Sequence, residues 1–128
     1  MVNEIESDRK KIVYAEDQES IARLVEYKLV KDGFDIIIMN SGENVVETII
    51  EVKPALVLLD LMLPIKDGLT ILEELKAHDE VKNIPVIILS VQGEENKILH
   101  ALNSGAADYI QKPFSTSELT IRIRKALA

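Results

Sequence analysis

Five short apolar runs rich in β-branched residues recur along this chain, and each is followed by a stretch with helical spacing. The runs are Ile12-Val13-Tyr14-Ala15, Phe34 to Met39, Ala55 to Leu59, Val86 to Leu89 and Tyr109-Ile110. An uninterrupted apolar run has no face for solvent, so it suits a strand covered on both sides, as in a parallel sheet. The stretches between them, about 19–31, 43–51, 68–78, 94–104 and 116–127, space apolar residues as helices do. Ala22, Val25 and Leu29 would line one face of the first, and Ile71, Leu72 and Leu75 one face of the third. The punctuation agrees. Gly33 and Gly105 follow helical stretches, where a left-handed cap favours glycine. Ser115-Thr116-Ser117-Glu118 has capping-box spacing, and Pro54 and Pro85 stand at strand starts, where no ladder donor is lost. Strict alternation of strand and helix predicts a doubly wound α/β domain, a parallel sheet with helices on both faces.

Composition narrows the function classes. A chain of 128 residues holds one core, and its 47% apolar and 29% charged residues are those of a soluble globular protein. The absence of cysteine excludes disulfides, thiolate zinc sites and a cysteine nucleophile. His78 and His100 share no metal-ligand spacing. A net charge of −7 argues against a nucleic-acid-binding surface. No apolar run approaches the roughly 20 residues of a membrane span. The expectation is a soluble, cytoplasmic domain over 10–128, preceded by a flexible arm over 1–9.

In an open parallel sheet the functional crevice lies at the carboxyl ends of the strands. Glu16 and Asp17 follow the first strand, Asp60 the third, Ser90 the fourth and Lys112-Pro113 the fifth. One polar residue at a strand end is ordinary; three carboxylates, a hydroxyl and an ammonium on one edge are not. Crowded carboxylates repel one another and can recruit a cation. An all-oxygen donor set favours magnesium, with manganese able to substitute, and magnesium leaves positions open for phosphate oxygens. The pattern suits phosphoryl acceptance, with Asp60 as nucleophile and Ser90 and Lys112 on the phosphoryl oxygens.

Over about residues 10–127 the sequence resembles a response-regulator receiver domain of two-component signalling, the CheY-like family. The resemblance rests on Glu16-Asp17, on Asp60-Leu61-Met62-Leu63-Pro64 with Asp67-Gly68, on Ser90, and on Tyr109-Ile110-Gln111-Lys112-Pro113-Phe114. It implies a single (βα)5 flavodoxin-like domain with strand order 2-1-3-4-5. It implies that Asp60 is the phosphoacceptor and that Glu16, Asp17, Asp60 and the Met62 backbone carbonyl hold Mg2+. Ser90 becomes the switch hydroxyl, Tyr109 the aromatic that turns inward, and Lys112 the partner of the phosphoryl group, with a cis Lys112-Pro113 bond. The implied partner is a histidine kinase or a histidine phosphotransfer protein. The phosphorylated domain would switch its fourth-helix, fifth-strand and fifth-helix face to control an output domain or another protein. It would be no enzyme beyond its own phosphorylation and dephosphorylation.

Finer expectations follow. Gln18, Ile21, Leu24, Pro113 and Phe114 are candidates for docking the kinase, Ile21 and Leu24 because they lie off the Ala22/Val25/Leu29 face. A phosphorylation-dependent homodimer is a further candidate, since Asp108, Glu118 and Arg122 match charged positions of dimerising relatives. Ile98 and Ala107 depart from that charge pattern and leave Arg122 without an intermolecular partner. Val91, where the family usually has a small residue, would block water from the acyl phosphate, while Gln92 could orient one. The last helix, Glu118 to Leu127, runs to the end of the sequence, as in a receiver cut from a longer protein or one that ends on its helix. A flavin carrier would need a hydroxyl- and glycine-rich loop where Glu16-Asp17-Gln18-Glu19 stands. A haloacid-dehalogenase-type phosphatase would need its second acid two residues beyond the nucleophile on the first strand, whereas Glu16 and Asp17 are adjacent.

Overall fold

The alternation is realised in a computed structural model, which describes residues 9–128. In chain order it contains β1 (Lys11–Ala15), α1 (Glu19–Lys31), β2 (Asp35–Met39), α2 (Val45–Val52) and β3 (Leu56–Asp60). Then follow α3 (Gly68–Lys76), β4 (Val86–Ser90), α4 (Glu95–Asn103), β5 (Asp108–Gln111) and α5 (Thr116–Leu127). All strand pairs are parallel and the order is β2-β1-β3-β4-β5. This is the doubly wound, flavodoxin-like α/β fold. The chain winds outward from β1 to β2, then returns to β3, so the switch point lies between β1 and β3.

Successive strand residues face opposite sides of the sheet, and the core divides accordingly. Val13, Ala15, Val57, Leu59 and Ile88 meet α2, α3 and α4 in one layer. Ile12, Tyr14, Leu56, Leu58, Ile87 and Leu89 meet α1 and α5 in the other. Burying a side chain of Leu or Ile size contributes about 1.5–3 kcal/mol, so these alternating residues fix the strand register. The outer strands depart from the expectation of strands covered on both faces. β2 is half-buried throughout, and β5 buries only Ile110. Each is an edge strand with a single neighbour.

The helix boundaries follow local chemistry. Asp67 caps α3 by accepting the Thr70 N–H at 2.8 Å. A Cβ on Gly68 would lie 2.2 Å from the Asp60 carbonyl oxygen, so only glycine lets α3 start this close to the end of β3. Gly33 and Gly105 have φ of 101° and 108° beyond α1 and α4, the expected left-handed caps. Ser115 accepts the Glu118 N–H at 3.0 Å, but the Glu118 carboxylate turns to Arg122 (3.5 Å), so only half of the capping box is used. The expected flexible arm lies outside the described residues up to residue 8. Its last residue, Arg9, is fixed to the domain: its guanidinium donates to the Val30 and Phe34 carbonyls (3.0 and 3.2 Å) and pairs with Asp35 (3.1 Å). Among the described residues no helix is long and apolar enough to cross a membrane.

Candidate functional site

The register pairs Ala15 with Leu59 and Asp60 with Leu89, which brings the carboxyl ends of β1, β3 and β4 side by side. Lys112 reaches this corner from the end of β5. Its backbone N–H is held by the Ser90 carbonyl (2.6 Å). Its Nζ lies 2.8 Å from Asp60 Oδ2 and 2.9 Å from Glu16 Oε1. The Met62 N–H donates to Asp60 Oδ1 at 3.1 Å. Asp60 is thus gripped at both oxygens, by an ammonium on one side and a backbone amide on the other.

Glu16 and Asp17 are adjacent in sequence but differ in environment. Asp17 is exposed, whereas Glu16 is 1% exposed. Glu16 accepts from the Tyr14 hydroxyl and from the Gln18 N–H, each at 3.2 Å, besides pairing with Lys112. Burial pushes its carboxyl above the usual glutamate range and the Asp60 charge adds to this, while the hydrogen bond and charge of Lys112 oppose it. Burial also pulls the Lys112 ammonium down, but its bonds and charge attraction to Asp60 and Glu16 prevail and raise it. Tyr14, wholly buried, has its hydroxyl pushed up by burial and then by Glu16. Tyr14 was legible only as a core strand residue. Its position two before Glu16 places both on one face of the strand.

Carboxylate oxygens of Glu16, Asp17 and Asp60 all lie within 4.8 Å of one another. The Lys112 ammonium pairs with two of these three acids, Glu16 and Asp60. An oxygen-only set of this kind, with an exposed member open to water, fits a hard divalent cation that keeps part of its hydration. Ser90 completes the corner: it is fully buried, yet its Oγ has no hydrogen-bond partner among the described residues. A buried hydroxyl without a partner costs about 1–3 kcal/mol, so this group is poised for an acceptor or donor brought by something else.

The remaining sequence candidates separate into two groups. Val91 and Gln92 are exposed on the loop after β4. Tyr109 is 38% exposed on the edge strand, its carbonyl accepting from Arg122 at 3.0 Å. Gln18 is the N-cap residue of α1, and Leu24 is 60% exposed. Ile21 is not off the buried face as expected. It stands one turn before Val25, at the margin of the buried stripe, and packs on the α1/α5 layer, as does Phe114. Pro113 is exposed, and the Lys112-Pro113 bond is cis. Arg122, expected to lack an intermolecular partner, meets Asp108 (2.9 Å) and Glu118 (3.5 Å) within its own chain. Ile98 packs against the core beneath α4.

Comparison with known proteins agrees with this geometry. The family model for the response regulator receiver domain matches residues 12–124. The receiver domain of a Francisella response regulator is 31% identical, with 93% of this chain and 97% of that one covered and a TM-score of 0.84. The BeF3-activated N-terminal receiver domain of RstA from Klebsiella pneumoniae is 36% identical, with 91% and 97% covered and a TM-score of 0.82. NtrX from Brucella abortus, in complex with ADP, is 29% identical over 93% of this chain but only 27% of its own, with a TM-score of 0.84. An acid-lined corner at the switch point of a 2-1-3-4-5 sheet and a family match over nearly the whole length lead to one conclusion: the chain belongs to the response regulator receiver domains of two-component systems.

Proposed function

We propose that this domain takes a phosphoryl group onto Asp60 from the phosphohistidine of a kinase or phosphotransfer protein. The observation that carries this is Lys112 set between Asp60 and Glu16, beside the unpartnered Ser90 hydroxyl. In the transfer an Asp60 carboxylate oxygen bonds to phosphorus and the P–N bond breaks. The imidazole leaves with the electron pair and takes up a proton. Lys112 neutralises the added phosphoryl charge, and the Ser90 Oγ finds its missing partner on a phosphoryl oxygen. Glu16, Asp17, Asp60 and the Met62 backbone carbonyl would hold Mg2+, which supplies charge neutralisation when bound.

Val91 would limit the approach of hydrolytic water, and Gln92 would be the group able to orient it. Engagement of Ser90 would draw the loop after β4 inward and let Tyr109 leave its exposed position, altering the α4–β5–α5 face. The domain works on its own aspartate and turns over no separate substrate. Docking would use Gln18 and Leu24 on α1 with Pro113 and Phe114 before α5. The much longer NtrX chain supports an output domain as one recipient of the signal. The test is incubation with acetyl phosphate and Mg2+, followed by peptide mass spectrometry. Wild type should gain one phosphoryl group, on Asp60, and Asp60→Asn none. Equal uptake by the variant would overturn the assignment.

A further inference from the structure

The loop after β4 makes a contact that phosphoryl acceptance leaves unexplained. In a parallel ladder the peptide groups of successive residues turn alternately to the two neighbouring strands. The Leu89 carbonyl accepts from Leu61 N–H on the β3 side (3.0 Å), and the Ser90 carbonyl accepts from Lys112 N–H on the β5 side (2.6 Å). One residue further lies the Val91 N–H, just beyond the end of β4, whose neighbour β3 ends in Asp60. It is the next backbone donor after the Ser90 corner. That donor is already taken. Glu94 Oε1 accepts it at 2.8 Å. Glu94 is the N-cap residue of α4 but caps nothing on its own helix; its side chain reaches back over the loop instead. α4 lies over the same corner, with Lys97 Nζ 3.8 Å from Met62 Sδ.

We propose that Glu94 is a built-in competitor of the phosphoryl group, holding the Val91 N–H until a phosphoryl oxygen displaces its carboxylate. The inference rests on Asp60 being the phosphoacceptor. An aspartyl phosphate carries about −1.5 to −2 charge, so it both repels Glu94 and competes for the same donor. Hydrogen bonds from amides to anions are strong and directional, so one N–H cannot serve both anions well. Displacement frees the first residue before α4, which ties the chemistry to the start of that helix. Glu94 thereby lowers phosphoryl affinity and sets the threshold for switching. Glu95 supplies an internal control: it carries the same charge one residue away, but its carboxylate touches the Gly93 N–H (3.4 Å) instead.

The experiment titrates beryllofluoride, with Mg2+ present, into 15N-labelled wild type, Glu94→Ala, Glu94→Gln, Glu95→Gln and Asp60→Asn. Glu94→Ala should bind about tenfold more tightly, equivalent to about 1.4 kcal/mol. Glu94→Gln, which keeps an acceptor but loses the charge, should fall between, and Glu95→Gln should change affinity less than about twofold, or about 0.4 kcal/mol. In wild type the Val91 amide resonance should shift on binding. In Glu94→Ala it should already have moved before any is added. Equal tightening by Glu94→Gln and Glu95→Gln would reduce the effect to general charge and overturn the proposal. So would unchanged or weaker binding by Glu94→Ala. Undiminished binding by Asp60→Asn, or none by wild type, would instead bring down the phosphoacceptor reading and this inference with it.

Discussion

The carboxyl end of the sheet and the α4–β5–α5 face are made from neighbouring segments, yet they are held in opposite ways. At the sheet's end Glu16, Asp60 and Ser90 are at most 5% exposed, and one lysine bridges two of the acids. On the face, α4 buries only Ala101 of its nine residues, whereas α3, of equal length, buries Gly68, Ile71, Leu72 and Leu75. β5 contributes only Ile110, and the polar side-chain contacts there, Arg122 to Asp108 and His100 to Glu73, are partly open to solvent. Exposed pairs of this kind are worth about 0–1 kcal/mol, while a buried ion pair deprived of one partner costs several. Strong interactions thus gather where new charge would arrive, and weak ones where the molecule would respond. Under the proposed function, a modest free energy delivered at the corner would re-pack the face without unfolding the sheet.

The largest expected effect breaks the corner. Lys112→Met should destabilise the metal-free protein at neutral pH by about 3 kcal/mol, because Glu16 and Asp60 would remain buried without a cation. The pH dependence has a definite sign. Glu16 is raised above 4.5, so the folded state holds that proton more tightly than the unfolded chain, and stability is gained as pH falls through its folded range. The Lys112→Met deficit should therefore shrink on acidification. Lys112 is raised above 10.5, so its contribution is complete below that value and fades as pH rises through its folded range. The gap between wild type and variant should narrow there too. Urea titrations followed by circular dichroism across pH would check this, since the chain has no tryptophan. A deficit independent of pH would mean that the lysine acts through its packing.

The same contrast explains what was legible before the structure. Ile12 to Ala15, Leu56 to Leu59 and Val86 to Leu89 are buried on both faces, so their apolar runs are continuous and the next residue is a strand end by necessity. That is why Glu16, Asp60 and Ser90 could be placed on one edge from spacing alone. Edge strands weaken the signal: β2 is half-buried along its whole length despite an equally apolar run. Contacts between side chains and loops left no periodic trace. The Glu94–Val91 contact and the Arg122–Asp108 pair depend on how loops and helix ends fold back. Ile98 illustrates the limit, since its helical position is compatible with rim or core, and only the closeness of α4 to the sheet selects the core.

A smaller effect sharpens the comparison at the junction of the two regions. Val91 follows the buried Ser90 but is itself 45% exposed, at the mouth of the corner. If its branched side chain screens the acyl phosphate, Val91→Ala should speed loss of the phosphoryl group by up to about tenfold, about 1.4 kcal/mol of barrier. Phosphate release would measure it. Unchanged or slower decay would show that Val91 does not gate the water. Stability should move little, because an exposed aliphatic side chain buries little area to lose.

The smallest effect lies wholly on the face. Arg122 is occupied within its own chain by Asp108, Glu118 and the Tyr109 carbonyl, so its charge is not held in reserve for a second copy. Removing it deletes partly exposed pairs whose charges are screened by salt, so Arg122→Ala should cost under about 1 kcal/mol, and less at high salt. The consequence for self-association is sharper than that for stability. Ala107 offers no acid and Ile98 is engaged with the core, so a charge-paired interface on this face would lack two of its members. Beryllofluoride-treated protein should accordingly show the same sedimentation behaviour with and without Arg122. A dimer present in wild type, weakened by salt and lost in Arg122→Ala, would show that the arginine leaves its internal partners on activation. The face would then be more thoroughly remade than its weak internal bonds require.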